Sequence, residues 1–331
     1  MRYTPTVKPR WKAFRYRLEA FAIRGVAAAL PLLPRSWLLR LAGFAAALFH
    51  RFDARSRRVA LENLRAAFPE LSERRRDLIA RGAARNFART FLDLFWARNL
   101  TAENYQRYCT MEGFEGVEAS RIRANGSILC CAHFGNFEWA SLVTGFAGLP
   151  TLIVAQEFKN PGLDAIFNDA RAFTGHRILP RTQAMLKMLR AVKRGGSAGL
   201  LVDLTLPPEM PAAALRAFGG LRICATILHA ILHERTGVPI TPVSAVPRSD
   251  GGYRITFHPP LDFPPGASRA EIAQKVWDCH EAMIRRRPSL WLWSYKHFRY
   301  RPEHPAREYP WYAMEHPDFE RLVREWPLAT A

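Results

Sequence analysis

The chain has 331 residues, enough to bury a full α/β core, and carries 48 Lys and Arg against 29 Asp and Glu for a formal charge of +19. Its five cysteines, Cys109, Cys130, Cys131, Cys224 and Cys279, form neither a CxxC pair nor a disulfide-like array, which excludes a disulfide-built secreted scaffold and leads us to expect the main domain in a reducing cytoplasm. The positive excess points to anionic partners: nucleic acid, an anionic membrane surface or an acidic carrier protein.

The N-terminus is basic, with Lys8, Arg10, Lys12, Arg15 and Arg17 leading into apolar sequence without a cleavage site of secretory type. From Leu18 to Phe49 the chain is strongly apolar, divided by Arg24, Pro31, Pro34, Arg35 and Arg40. The charge-free pieces, Gly25–Pro34 and Leu41–His50, fall short of the roughly 18–20 residues that span a bilayer. They suit amphipathic helices lying in the interface with Arg heads at the phosphates. A single tilted span and an ordinary helical hairpin packed on the core are the alternatives. Residues 1–52 are thus expected to form a membrane-associating extension, and residues 53–331 one catalytic domain.

From about Asp53 to Asn99 the pattern predicts two helices separated by Phe68-Pro-Glu-Leu-Ser72, where Pro69 breaks the first and Ser72 caps the second. Leu78, Ile79, Ala83, Phe87, Phe91, Leu94 and Phe95 recur near helical spacing as a buried stripe. Arg81, Arg85 and Arg89 stand four apart on another face, a ladder that can meet a membrane or an acidic protein, or simply solvent. Short apolar runs at Ser127–Ala132, Thr151–Gln156, Gly199–Asp203 and Ile240–Val246 then read as strands, with helices between them at about Pro161–Thr174, Thr182–Arg194 and Ala225–Arg235. Gly251-Gly252 closes a hairpin before a strand at Tyr253–His258, and a long helix covers about Arg269 to Arg287. The expected fold is α/β: a mixed, largely parallel sheet flanked by helices, with an apolar helical N-terminal extension and the chemistry at strand ends.

His133 and Glu138 hold the most telling position, where a strand ends at a Gly-Asn turn and the next helix begins. Five residues of continuous helix would rotate them apart, so the chain must turn between them, and Gly135 and Asn136 permit a turn. A carboxylate on one ring nitrogen would fix the imidazole tautomer and leave the other nitrogen to take a proton from a hydroxyl. The plainer reading is a satisfied histidine beside a helix N-terminal acid.

Other constellations are weaker. His229 and His233 lie four apart on a predicted helix, but the glutamate of a zincin and a third ligand are missing, so no metal is expected. Gly195-Gly196 and Gly219-Gly220 lack phosphate-loop and dinucleotide spacing, and no cofactor is expected. The tail Trp291-Leu-Trp-Ser-Tyr-Lys-His-Phe-Arg-Tyr-Arg301 interleaves rings with charge, which suits base stacking or, given the apolar N-terminus, an interfacial belt; some of these rings belong to the core.

His133-Phe-Gly-Asn-Phe-Glu138 resembles the His-x4-acid motif of glycerolipid and lysophospholipid acyltransferases, and its context resembles the bacterial lipid A late acyltransferases. Arg58-Val-Ala-Leu-Glu-Asn-Leu64 with Phe68-Pro-Glu-Leu-Ser72 is similar to that branch's helical signature. Asn160-Pro-Gly-Leu-Asp164 with Arg171 and Gly175, Gly199-Leu-Leu-Val-Asp203, Phe218-Gly219 with Ala225-Thr226, Thr236-Gly-Val-Pro-Ile-Thr-Pro242, and Pro288-Ser-Leu-Trp-Leu-Trp293 through Arg299-Tyr-Arg-Pro302 follow in the family's order. Departures are Leu204 after the aspartate, the Pro- and Ala-rich Thr205–Ala214, and Tyr295-Lys-His297.

The resemblance implies transfer of a fatty acyl group from an acyl carrier protein or coenzyme A thioester to a hydroxyl of a lipid A precursor or related glycolipid, at the cytoplasmic face of a bacterial inner membrane and with no nucleic-acid partner. His133 would be the general base and Glu138 would orient it. Transfer would be direct, with Cys131 as the lesser alternative of a nucleophile. Arg171, Asp203, Asn136 and Gly135 would contact substrate: Arg171 through a phosphate unless it forms an interhelical salt bridge, Asp203 through a hydroxyl or basic group unless it caps a helix, and Gly135 and Asn136 at the turn, with backbone N–H groups at the start of the helix after Gly135 as donors to the oxyanion. A non-catalytic lipid- or nucleic-acid-binding protein on the same scaffold is the rival reading.

Overall fold

A computed structural model describes residues 9–181 and 184–325. The expectations at Lys8 and at Thr182, the start of one predicted helix, lie outside the described residues. In chain order the elements are α1 (Pro9–Ala29), α2 (Arg35–Phe52), α3 (Ala54–Ala67), α4 (Glu73–Trp96), β1 (Cys109–Glu112), α5 (Phe114–Ala124), β2 (Ser127–Cys131), α6 (Phe137–Phe146), β3 (Thr151–Ala155), α7 (Pro161–Ala172), β4 (Arg177–Pro180), α8 (Ala184–Lys193), β5 (Ser197–Leu201), β6 (Ala212–Ala217), β7 (Leu221–Thr226), α9 (Leu228–Thr236), β8 (Ile240–Pro247), β9 (Tyr253–Phe257), α10 (Arg269–Arg286) and α11 (Pro317–Glu325).

Helix starts follow side-chain chemistry. The Asp53 carboxylate accepts the Ser56 N–H at α3, the Ser72 hydroxyl accepts the Arg75 N–H at α4, and Ser268 with Glu271 forms a reciprocal capping box at α10. Of the stripe expected on α4, Ile79, Ala83, Leu94 and Phe95 are buried, whereas Leu78 and Phe87 are exposed.

The main sheet runs β1-β9-β8-β2-β5-β3-β4. Every neighbouring pair is parallel except β8 with β9, the hairpin that Gly251-Gly252 closes. The carboxyl ends of β2, β5, β3, β4 and β8 therefore share one edge, the edge where α/β sheets place ligands. A separate antiparallel hairpin, β6 with β7, lies outside that sheet. Its second strand occupies Ala225 and Thr226, so the helix expected from Ala225 begins only at Leu228.

α2 packs along α4, and α1 packs on α7. Neither is long and apolar enough to cross a membrane, nor is any other described helix. The tail is a correction to the interfacial expectation: Trp291, Trp293, His297 and Phe298 are buried, with Phe218 and Trp277 among the same rings. Their apolar area covers the core, and the cations between them stay at the surface.

Candidate active site

β2 and β5 pair in register, Cys131 opposite Leu201, an offset of 70 residues. Continuing that register two residues past each strand puts His133 opposite Asp203. The Asp203 carboxylate accepts the His133 backbone N–H at 2.9 Å through Oδ2 and faces His133 Nδ1 at 2.8 Å through Oδ1. The Trp291 indole N–H donates to Oδ2 at 2.8 Å. Burial of Asp203 would push its carboxyl up, but the charge and hydrogen bond of His133, with His297 and Trp291, hold it well below the usual carboxylate range. An anion bonded at Nδ1 sets the tautomer with the proton on that nitrogen, and Nε2 is left with a lone pair and no partner among the described residues. The Phe137 ring meets the imidazole edge to face at 4.8 Å.

This corrects the expected partnership of His133 with Glu138. α6 starts so soon after the turn that Glu138, in its first turn, faces α7 instead, where Arg171 holds both carboxylate oxygens. The Nε contacts are 3.1 Å to each oxygen, and Nη2 to Oε1 is 2.6 Å. Both side chains are largely buried, and Glu138 raises the Arg171 pKa despite the opposing effect of burial. Arg171 is thus the interhelical salt bridge of the alternative reading, with no hydrogen bond from Nη1 to any described residue.

Gly135 and Asn136 build the turn rather than line an open surface. Gly135 has φ +61°, and a Cβ there would fall 1.7 Å from the Ala245 carbonyl oxygen, so glycine is required. Its N–H bonds Leu290 O at 2.9 Å, and the Asn136 N–H bonds Ala245 O at 3.0 Å. The Asn136 side chain caps α6 through the Trp139 N–H and donates to Asp93. Gly135 and Asn136 therefore have no N–H to offer a reacting carbonyl. The Phe137 and Glu138 N–H groups, at the first two positions of α6, have no hydrogen-bond partner among the described residues.

Asp93 was not anticipated. Fully buried on α4, it takes Arg35 of α2, Tyr253 Oη at 2.5 Å and Asn136 Nδ2 at 3.1 Å, while Trp139 Nε1 bonds its carbonyl at 2.9 Å. The Arg35 guanidinium lies 4.9 Å from the Trp96 ring and 4.8 Å from that of Trp139. Composition gave no signal for this network; only the long-range fold brings α2, α4, β9 and the turn together.

Burial pushes the Cys131 thiol up to about 12, so its thiolate is scarce near neutral pH, which counts against the covalent alternative. His229 is buried with both ring nitrogens unbonded and driven down to about 3 by burial and by His280, while His233 Nδ1 donates to Val238 O. Glu209, His316 and Asp318 come close enough to share an ion, but the Asp318 backbone N–H donates to His316 Nδ1, which puts the ring proton on Nε2 facing Glu209.

The chain is 24% identical over 276 residues to the lipid A biosynthesis lauroyltransferase of Escherichia coli (strain K12), covering 82% of this chain and 88% of that protein. It is 25% identical over 292 residues to the lipid A biosynthesis myristoyltransferase of the same organism, covering 84% and 85%. Among solved structures, the 1-acyl-sn-glycerophosphate acyltransferase of Thermotoga maritima aligns at 14% identity and a TM-score of 0.34, covering 76% of this chain and 96% of that one. Residues 5–300 match the family described as bacterial lipid A biosynthesis acyltransferase, so the chain belongs to that family and is an acyltransferase.

Proposed function

We propose that the protein transfers a fatty acyl group from a thioester to a hydroxyl of a lipid A precursor or related glycolipid, with His133 as general base. The observation that carries this is the His133–Asp203 contact of 2.8 Å at Nδ1, which leaves Nε2 as the acceptor for a hydroxyl proton. As that proton moves to Nε2, the acceptor oxygen attacks the thioester carbonyl. The tetrahedral intermediate then collapses to the ester, and the departing thiolate takes the proton back from the imidazolium. Asp203 stabilises the imidazolium without itself becoming protonated.

The Phe137 and Glu138 N–H groups at the start of α6 are the donors for the oxyanion. Glu138 acts through Arg171, fixing the first turn of α6 against α7, while Arg171 Nη1 is available to a phosphate of the acceptor. Asp203, Asn136 and Gly135 act by holding His133 and its turn rather than by touching the lipid. The donor is a thioester of an acyl carrier protein or of coenzyme A, both of which suit the +19 charge.

The enzyme would work at the cytoplasmic face of a bacterial inner membrane. Trp37, Leu41, Phe44, Leu48 and Phe52 recur at helical spacing along α2 and are all exposed, Phe44 at 63% and Phe52 at 73%, an apolar face that fits the acyl boundary of a bilayer.

The test is incubation of the purified protein with a lipid A precursor and acyl thioester, followed by mass spectrometry for one added acyl chain. His133→Ala should lower turnover on the order of 10²–10⁴ with the fold retained. Vesicle binding without acyl addition from any donor would instead support the non-catalytic reading.

A further inference from the structure

Between the first turns of α4 and the end of α10 lies a groove of about 490 Å³, walled by Arg75 and Leu78, by Arg286 and Arg287, and by Pro247 and Leu290. The three guanidinium groups make no hydrogen bond or ion pair with any described residue, which leaves all three charges of the groove open to an anionic partner. Arg286 and Arg287 are moreover adjacent in sequence, so their mutual repulsion goes uncompensated within the chain. Leu78, at 52% exposure, lies between these charges. On α4, positions 75, 78, 82 and 85 share one face, which extends the basic strip to Arg85, likewise without a carboxylate among the described residues.

The wall of the groove is hydrogen-bonded to the turn that follows His133. Leu290 O, in its wall, accepts the Gly135 N–H at 2.9 Å, and Trp291, the next residue, donates to Asp203. Pro247 ends β8, whose Ala245 O holds the Asn136 N–H.

We propose that this groove docks an acidic helix of the protein that carries the acyl thioester, with carboxylates meeting Arg75, Arg286 and Arg287 and an apolar side chain seated against Leu78, Pro247 and Leu290. The proposal rests on the thioester reading above. From Arg75 to Arg85 the strip runs about 15 Å along the helix axis, longer than one phosphate can engage and matched to carboxylates on successive turns of a helix. The apolar middle flanked by cations is the complement of an amphipathic acidic face.

The test compares Arg75→Glu/Arg286→Glu/Arg287→Glu, and the milder triple Gln variant, with the unaltered full-length protein. KM for the acyl carrier protein thioester should rise by about tenfold or more with kcat nearly unchanged, and KM for a small acyl thioester lacking phosphate should stay constant. Added salt should raise the unaltered protein's KM for the carrier and affect the Glu variant little. Equal changes for both donors, or no change for the carrier, overturn the proposal. So does loss of pyrophosphate inhibition in the variant with the carrier KM intact, which would mark a phosphate site. Binding of the unacylated carrier protein is measured separately on His133→Ala: retention of binding after the triple Glu change overturns docking, whereas absence of turnover by the unaltered protein from every donor overturns the catalytic reading alone.

Discussion

His133 and Asp203 stand opposite each other two residues beyond the ends of neighbouring parallel strands, joined twice, once through the ring at 2.8 Å and once through the His133 main-chain N–H at 2.9 Å. The double contact fixes the orientation of the imidazole as well as its tautomer. Asp203→Asn keeps the shape but can present an amide N–H to Nδ1, which would place the ring proton on Nε2 and remove the base. Turnover should fall on the order of 10²–10⁴ with near-normal stability, read from steady-state acyl transfer beside a denaturant curve. Activity equal to the unaltered enzyme would remove the ring contact from the mechanism.

Glu138 and Arg171 should behave as a buried pair. Glu138→Gln or Arg171→Met alone leaves one charge without its partner and should cost about 3–5 kcal/mol, whereas the double change should cost clearly less than the sum. Urea midpoints of the three variants measure this. Additive losses would show that the two residues do not support each other.

Acid sensitivity should depend partly on His297. Burial is the main cause that lowers its pKa from 6.5 to about 4, against the raising effect of Asp203 and the Leu292 carbonyl. Above pH 6.5 both folded and unfolded chains hold the ring neutral. Between about 6.5 and about 4 the unfolded chain takes a proton that the folded one refuses, so stability declines as pH falls through that window. His297→Gln should flatten the decline, leaving the part that His229 contributes in the same direction. Thermal melts across this range, with an unchanged slope in the variant, would count against it.

The apolar face of α2 should govern vesicle affinity. Trp37→Ser/Phe44→Ser/Phe52→Ser removes three exposed rings, each worth roughly 1.5–3 kcal/mol if fully buried in lipid, so partitioning onto anionic vesicles should fall by on the order of 10²-fold or more. The melting temperature should hardly move, because these rings make little contact with the core. Sedimentation with vesicles reads the first effect and calorimetry the second.

The elements with local signals were readable in advance. Ser72 after a proline marked the start of α4, Gly251-Gly252 marked the β8–β9 turn, and the apolar runs of β2, β3, β5 and β8 stood out. β1 and β4 are four residues each, too short for a period to show. The alanine-rich β6 carries little strand propensity and pairs only through its hairpin. At the site, the sequence offered His133 a carboxylate five residues away, and the fold supplied one 70 residues away. Strand register decides which acid arrives, and register is a property of two segments rather than one. Trp291 and His297 were hidden for a related reason: a ring beside a cation has the same composition in a core as at an interface.

Asp93 receives Arg35 from α2 on one side and Asn136 from the turn after His133 on the other. The helix α2 and the turn after His133 are therefore fastened to a single buried anion. Trimming away α2 would take Arg35 from that carboxylate and leave it Arg89 at 3.5 Å as counter-ion, so α2 is no removable extension. On the membrane reading proposed above, strain placed on α2 by bilayer thickness or curvature would pass through the Arg35–Asp93 and Asp93–Asn136 contacts to the turn after His133.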